Sequence, residues 1–308
     1  MRHSRAGSRV WTGQQGRDDV GCSMSRTAVV TGGASGIGAA LARALVARGD
    51  SVVIADVDSA GASAVADELN QQQTGRARAE ALDVRDAESV RSVVEEVHRR
   101  EGRLDLMFNN AGIGIGGAVE ELALSHWERA IDVNLRGVVH GVAVAYPLML
   151  RQGHGHIVNT ASVAGLIPAP FITPYSMTKH AVVGLSLSLR GEAAAHGVRV
   201  SALCPGTVDT AILDRGNPQD LPEVRTLDGR EYVTKVAGVP YSADALAADV
   251  LRAVERNRPV IVAPRRARVA WRLHRAAPWI VEQMTLRNVA WARERYGLSQ
   301  VVAVDASP

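Results

Sequence analysis

TAVVTGGASGIG, residues 27 to 38, joins an apolar run to a glycine-rich turn and then to a helical period that continues to Arg48. The run Thr27–Thr31 is typical of a short buried strand, and the glycines allow a tight turn that comes close to a pyrophosphate. The helix that follows directs free backbone N–H groups at the same point. A strand, a glycine turn and a helix in this order predict a nucleotide-binding loop in an α/β fold.

An acidic residue follows at the spacing of a dinucleotide site. Asp56 ends the next apolar run, 51–55, about 20 residues beyond the glycine turn. Its carboxylate can accept hydrogen bonds from both hydroxyls of the adenosine ribose and would repel a 2′-phosphate. Because Val57-Asp58-Ser59 follows without a cation, the sequence predicts NAD as the cofactor, with NADP less favoured. The structural alternative for Asp56 is a cap of the next helix.

The alternation of strands and helices continues to about residue 264. At 46% apolar and 22% charged residues, the chain can bury a full core. Valine and isoleucine runs are typical of a parallel sheet covered by helices on both faces, so we predict one doubly wound α/β domain over 25–264. A long segment of poor periodicity, 209–240, is predicted to be a lid over a site. Further strands are expected at 76–82, 104–108, 156–160, 198–204 and 259–262.

The N-terminal segment and the cysteines restrict the class of protein. Residues 1–24 are rich in Gly, Ser, Arg and Gln and predict a disordered leader, with a native start at or near Met24 as a hypothesis. Cys22 and Cys204 provide neither a disulfide framework nor a metal-ligand cluster. We therefore expect a cytoplasmic protein without a metal site. No unbroken run of about 20 apolar residues predicts a membrane span.

The C-terminal tail, 265–308, differs from the body. It has eight arginines against two glutamates between residues 265 and 295, so the positive charge of the chain, +3 in all, belongs to the tail and does not indicate nucleic-acid binding. Apolar residues at helical spacing predict a basic amphipathic helix, which Pro278 would kink or divide in two. Such a tail packs on the body or on a partner subunit; contact with an anionic membrane surface is the alternative.

Four polar residues are the candidate catalytic groups. Tyr175 and Lys179 share one face if their segment is helical, and a fixed cation favours the phenolate of a group whose usual pKa is about 10. Ser162 follows the strand 156–160, at the sheet edge where ligands bind. Asn134 lies in a long apolar helix, expected from Ser125 to about Arg151, and is either a structural tie or part of the site because a buried amide needs partners.

Taken in order, these motifs resemble those of the short-chain dehydrogenase/reductase family in its compact branch. The resemblance covers about 25–264 and implies a Rossmann-type domain with a seven-stranded parallel sheet and an NAD(P)-dependent oxidoreductase. The motifs are Thr31-Gly32-x-x-x-Gly36-x-Gly38, Asn109-Asn110-Ala111-Gly112, Asn134, Ser162, Tyr175-x-x-x-Lys179 and Pro205-Gly206.

The resemblance also implies roles for residues at the matching positions. Tyr175 would exchange a proton with the substrate oxygen, and Ser162 would hydrogen-bond that oxygen. Lys179 would bind the nicotinamide ribose, and Asn134 would hold a water that relays protons. Asp83 would meet the adenine edge. The implied cofactor contacts are Gly32, Ser35, Gly36, Ile37, Gly38, Asp56, Asp83, Val84, Asn110, Ala111, Gly112, Tyr175, Lys179, Pro205, Gly206, Val208 and Thr210.

The composition of the segment before Tyr175 indicates the class of substrate. Its apolar residues favour a hydrophobic secondary alcohol or ketone over a carboxylate or phosphate. Family members generally assemble through the helices that carry Asn134 and Tyr175, which implies a homo-dimer or homo-tetramer. The alternatives are an NADP-linked carbonyl reductase and a non-catalytic cofactor-binding regulator or membrane-surface scaffold. The apolar residues are Val163, Leu166, Ile167, Pro168, Pro170 and Phe171.

Overall fold

The computed structural model describes residues 25–71 and 74–298. The predicted leader with its start at Met24, and the last part of the tail, 299–308, lie outside the described residues. Within them the chain forms a seven-stranded sheet whose strands are all parallel, in the order β3-β2-β1-β4-β5-β6-β7. The strands are β1 (Thr27–Thr31), β2 (Ser51–Asp56), β3 (Arg76–Ala81), β4 (Leu106–Asn109), β5 (Gly155–Thr160), β6 (Val198–Pro205) and β7 (Val260–Ala263).

Helices cover both faces of the sheet, so the predicted doubly wound α/β fold is confirmed. Alternate strand residues face opposite sides: Ala28 and Val30 pack against α1, α2 and α8, and Val29 packs against α3 and α5. The helices are α1 (Gly36–Val46), α2 (Ser59–Asn70), α3 (Ala87–Glu101), α4 (Leu124–Ile131), α5 (Gly137–Gln152), α6 (Thr173–Ala193), α7 (Gly229–Ala237), α8 (Ala243–Glu255), α9 (Arg265–Ala276) and α10 (Pro278–Arg295).

The order of strands creates a crevice between β1 and β4. Chain connections leave β1 in one direction, toward β2 and β3, and leave β4 in the other, toward β5. At such a switch point the loops after the strands diverge and leave room for a ligand. The Asn110 amide bridges the two loop starts, because its Nδ2 donates to the carbonyl of Thr31 at 3.0 Å.

The long helix predicted from Ser125 to about Arg151 is a composite. It begins at Leu124, so Ser125 lies in the first turn instead of capping it, and a π-helical turn at Asp132–Arg136 separates α4 from α5. The whole segment, Leu124–Gln152, is long and apolar enough to cross a membrane by length and composition, which the sequence analysis did not expect. With 44% of its apolar window buried and α5 packed on β4, β5 and α3, these properties suit a core helix.

The lid contains more regular structure than its sequence indicates, and the described part of the tail is helical, as predicted. The segment predicted as a poorly periodic lid includes α7, which Asp228 caps by accepting a hydrogen bond from the N–H of Glu231 at 2.8 Å. Pro278 begins a second tail helix, as predicted. Both described tail helices pack on the body: α9 through the buried Ala267, and α10 through the buried Ala292 and through Trp291, which cluster with Phe171 and Tyr232. Membrane contact stays a prediction.

Candidate active site

A cleft of about 1200 Å³ runs along the carboxyl edge of the sheet. The loops after strands β1 to β6 line its floor, and the lid and the tail line the opposite side. All but two of the predicted site residues border this cleft. The exceptions, Gly38 and Asn134, lie directly behind it, and their contacts explain why.

The glycine turn forms one end of the cleft. Gly32 has a left-handed φ of 65°, and a Cβ there would lie 2.7 Å from the Cα of Ala111, so a larger residue cannot occupy the turn. A Cβ on Gly38 would lie 2.0 Å from the carbonyl oxygen of Gly32. The Ser35 side chain makes no capping hydrogen bond, so the first N–H groups of α1 are available to an anionic ligand. This cradle fits a cofactor pyrophosphate.

The Asp56 carboxylate is fixed at the rim beside this turn. It accepts hydrogen bonds from the backbone N–H groups of Ala34 at 2.9 Å and Asp58 at 3.0 Å. The cap of α2 is Asp58, which accepts from the N–H of Gly61. The structural alternative for Asp56, capping of the next helix, is therefore wrong, and its carboxylate borders the cleft.

Asp83 borders the cleft but already has a partner. The Arg85 guanidinium binds its carboxylate at 2.6 to 3.0 Å and holds the pKa of that carboxyl below its usual range. The contact of Asp83 with an adenine edge stays a prediction. Arg85 also lines the cleft, and the sequence analysis missed it because no motif includes this position.

Asn134 is fully buried in the π-helical turn. Its Oδ1 accepts from the N–H of Ile113 at 2.9 Å, and its Nδ2 donates to the carbonyl of Ile113 at 3.0 Å. Of the two roles predicted for Asn134, the structure shows the tie, which fixes the loop after β4 at Ile113. A Cβ on Gly112 would lie 3.1 Å from the Asn134 Oδ1 and 3.4 Å from the Lys179 Nζ. The proton relay stays a prediction.

Ser162, Tyr175 and Lys179 lie together at the end of β5. Tyr175 and Lys179 are one turn apart on α6, and the Lys179 Nζ is 5.4 Å from the centre of the Tyr175 ring. The same Nζ donates to the carbonyl of Thr160 at 2.8 Å. The Ser162 hydroxyl accepts from the N–H of Ala164 at 3.1 Å. The spacing of these residues in the sequence therefore becomes one polar cluster beside the crevice.

The prediction of a lowered pKa for the Tyr175 phenol is wrong in this structure. Burial raises its pKa, because the phenolate loses hydration, and the hydrogen bond with Ser162 opposes the change only in part. Burial also lowers the pKa of Lys179 from 10.5 to about 8. Desolvation thus acts against the charged forms of both groups.

The far side of the cleft is apolar. Four of the six residues predicted to face the substrate line it: Val163, Ile167, Pro168 and Pro170. Leu166 packs against a core cluster instead, and Phe171 packs against Tyr232 of α7. The lid adds further apolar side chains, which are Ile212, Leu213, Tyr232, Val233 and Val236.

The tail also borders the cleft, which the sequence analysis missed. The helical period of the tail indicates which face is apolar, but no local signal indicates what that face covers. The bordering residues of α9 and α10 include Ala270, Leu273, Val281, Met284, Thr285 and Asn288.

Comparisons with known proteins agree with this geometry. A sequence model of the short chain dehydrogenases matches residues 26–220. The chain is 36% identical over 225 residues to a cyclohexanol dehydrogenase of Acinetobacter sp. (strain SE19), covering 72% of this chain and 89% of that protein. It is 33% identical over 217 residues to a D-beta-hydroxybutyrate dehydrogenase of Rhizobium meliloti (strain 1021), covering 69% and 83%. A crystal structure of a short chain dehydrogenase/reductase from Burkholderia phymatum in complex with NAD has a TM-score of 0.76 and 32% identity, covering 83% and 95%.

Proposed function

The chain belongs to the short-chain dehydrogenase family, and on that premise we propose that it transfers hydride between NAD and a hydrophobic secondary alcohol or its ketone. Membership makes it a nicotinamide-dependent oxidoreductase that acts on alcohol and ketone groups. The observation that carries the proposal is the cluster of Ser162, Tyr175 and Lys179 between the glycine cradle and an apolar wall.

In the proposed reaction, Tyr175 is the general acid and base. It accepts the hydroxyl proton of an alcohol, or donates a proton to the oxygen of a ketone, while Ser162 donates a hydrogen bond to that oxygen. Lys179 binds the nicotinamide ribose and fixes the position of the phenol. When bound, the nicotinamide ring accepts or supplies the hydride.

The raised pKa of Tyr175 gives this mechanism a direction of pH dependence. The neutral phenol is the proton donor for ketone reduction, whereas alcohol oxidation requires the phenolate. We therefore expect kcat/KM for oxidation to rise with pH above neutrality, and kcat/KM for reduction to stay level until the pH approaches the raised pKa. Steady-state rates between pH 6 and 10 measure both slopes, and parallel slopes in the two directions would argue against Tyr175.

The preference for NAD is supported by the position of Asp56. Two backbone N–H groups fix its carboxylate at the rim of the cradle, where it can accept from ribose hydroxyls. No basic residue directly follows it in the sequence. A 2′-phosphate would meet this negative charge without a cation from the residues next to Asp56, so we propose that NADP binds less tightly.

The proposed substrate class is supported by the composition of the wall. Val163, Ile167 and Pro168 face the cleft together with apolar residues of the lid. Hydrophobic walls with a few placed polar groups are typical of small-molecule sites. A secondary alcohol or ketone with an apolar body matches both the wall and the polar cluster.

We also propose that the protein is a cytoplasmic homo-dimer or homo-tetramer. Val139 of α5 and Met177 and Leu187 of α6 are 40 to 43% exposed in the single chain. Burial of such residues favours association. Light scattering on the purified protein measures the assembly, and Leu187→Asp is expected to weaken it. A strict monomer would contradict this part of the proposal.

The test of the proposed function is turnover with NAD and NADP in parallel, followed by nicotinamide absorbance. The panel contains cyclic and long-chain secondary alcohols and the corresponding ketones. We expect turnover with NAD. We also expect a kcat/KM for NAD that exceeds the kcat/KM for NADP by about tenfold or more, which corresponds to a free-energy difference of about 1.4 kcal/mol. Preference for NADP would contradict the assignment of Asp56, and absence of turnover with both cofactors would contradict the proposed substrate class.

A further inference from the structure

The two tail helices form a wall of the cleft beyond the part of the chain that the family model matches, which ends at residue 220. On α10, Val281, Thr285 and Asn288 border the cleft, and their spacing of four and three residues puts them on one helix face. Val281 is 9% exposed, whereas Thr285 and Asn288 are partly exposed.

Four aromatic rings join the tail to two other segments of the site; we call them the aromatic cluster. Phe171, in the loop before Tyr175, contacts Tyr232 of α7 edge to face, with 5.9 Å between the ring centres. Tyr232 stacks on Trp291 of α10 with 6.4 Å between the ring centres. Trp291 in turn contacts Tyr296 edge to face, with 6.1 Å between the ring centres. These are favourable geometries for aromatic pairs, so Trp291 links the lid to the tail.

Polar contacts support the same junction. Glu231 of α7 accepts a hydrogen bond from the Tyr296 hydroxyl at 2.7 Å and pairs with the Arg295 guanidinium at 3.2 Å. The Lys235 ammonium lies 5.6 Å from the centre of the Trp291 ring. Because partly exposed ion pairs contribute little, we assign the main holding role to the stacked rings.

The backbone of Phe171 depends on this packing. Its φ is 62°, in the left-handed region that an aromatic residue rarely adopts. Such a conformation persists only where the surroundings impose it, and Phe171 is 6% exposed among Tyr232, Trp291 and their neighbours. Since Tyr175 follows four residues later, the tail acts on the loop that leads into the polar cluster.

We propose that the two tail helices set the substrate specificity of this enzyme. Val281 limits how far an apolar substrate extends from the reacting carbon. Trp291 is a positioning residue that holds α7 and the Phe171 loop against the substrate. The inference rests on the proposed function and sharpens it: the substrate is an alcohol or ketone whose apolar part reaches the tail, not a short one that ends at the polar cluster.

The role of Val281 is tested by changing its volume in the full-length protein. For Val281→Phe we expect kcat/KM for 2-decanol to fall by about tenfold relative to cyclohexanol, as expected when a pocket loses room for a few carbons. For Val281→Ala we expect kcat/KM for 2-decanol to rise relative to that for cyclohexanol. The control is Leu286→Phe, because Leu286 is 55% exposed on the same helix and does not border the cleft.

The role of Trp291 is tested by Trp291→Ala against Trp279→Ala, a tryptophan of the same helix that is 62% exposed. We expect KM for 2-decanol to rise by about tenfold, the factor that corresponds to one or two lost aromatic pairs. We expect kcat to change less and the Kd of NAD to stay constant. Trp291→Phe is expected to restore most of the lost affinity and also serves if the alanine variant does not fold.

The outcomes separate this inference from the proposed function. If wild type turns over neither 2-decanol, cyclohexanol nor the corresponding ketones, the proposed function fails. If wild type is active and the Val281 and Trp291 variants match their controls in the ratio of the two alcohols and in KM, the proposed function stands and the role of the tail is overturned.

Discussion

The cofactor half of the cleft is lined mainly by backbone and small residues from strand ends, whereas the substrate half is lined by apolar side chains from several distant segments. In the first half, Gly32 and Gly38 are required because a Cβ would meet backbone at 2.7 and 2.0 Å. In the second half, Ile167 and Val281 need only be apolar and of suitable size. The two halves should therefore respond differently to substitution.

Among substitutions that compare the two halves, the largest effect is expected from Gly38→Ala in the cofactor half. The new Cβ would lie 2.0 Å from the carbonyl oxygen of Gly32 and 2.8 Å from the Asn110 amide, so the cradle has to move. We expect the Kd of NAD to rise by about 100-fold or more, as overpacking costs of a few kcal/mol imply. Titration calorimetry measures it. Gly191→Ala, with open space around the glycine, is the control and is expected to bind NAD normally.

A smaller change, in selectivity, is expected from Asp56→Ala. Loss of the carboxylate removes charge-assisted hydrogen bonds to the ribose, worth about 1.5 to 3 kcal/mol, and also removes the repulsion of a 2′-phosphate. The ratio of kcat/KM for NAD to that for NADP is expected to fall by about 40-fold, from the middle of that range. An unchanged ratio would mean that a residue other than Asp56 distinguishes the ribose hydroxyls of NAD from the 2′-phosphate of NADP. Asp58→Ala, which removes only the helix cap, is the matched control.

The substitution Lys179→Met tests the place where the two halves of the cleft meet, because the Lys179 ammonium is buried there. Its pKa is lowered from 10.5 to about 8, so the unfolded chain binds the proton more strongly and stability rises as the pH increases from 8 to 10.5. Below pH 8 the full cost of the buried charge is present. Methionine removes it, and we expect a gain on the order of 2 kcal/mol at pH 7 despite the lost bond to Thr160.

Denaturant unfolding at pH 7 and at pH 10.5 measures this effect. The gain from Lys179→Met is expected to be largest at pH 7 and to vanish near pH 10.5, while turnover is lost at both. A variant that is less stable than wild type at pH 7 would show that the ammonium stabilises the fold.

The smallest effect is expected in the substrate half, from Ile167→Ala. The residue borders the cleft and is partly exposed, so its loss removes a few carbon contacts, worth about 1 kcal/mol. KM for 2-decanol is expected to rise about fivefold, with kcat and the Kd of NAD unchanged. Leu166→Ala, at a neighbour outside the cleft, is the control for KM. A collapse of NAD binding in Ile167→Ala would remove the distinction between the halves.

The difference between the two halves of the cleft also explains which features of the structure can be predicted from the sequence. The seven strands and the glycine turn follow from local pattern, because buried parallel strands and positive φ values restrict residue choice. The cluster of Ser162, Tyr175 and Lys179 follows from helix spacing and from a strand end. The position of Asp56 follows from its distance to the turn. Each of these depends on contacts that the motif itself specifies.

Other features depend on contacts between segments far apart in the chain. Phe171 and Leu166 turn away from the cleft because Tyr232 and a core cluster offer better packing. The Arg85 contact with Asp83 is set by side-chain geometry, and the raised pKa of Tyr175 by burial. None of these has a local sequence signal, and the role of α10 at the cleft has none either.

The central claim, that the Tyr175 hydroxyl exchanges the proton with the substrate, is tested most directly by Tyr175→Phe. The measurement is kcat/KM with NAD and cyclohexanol, together with the Kd of NAD. Tyr146→Phe, a tyrosine of α5 outside the cleft, is the control. We expect a loss in kcat/KM of about 1000-fold, within the range for a general acid or base, and an unchanged Kd. Turnover near the wild-type rate in Tyr175→Phe would contradict the account.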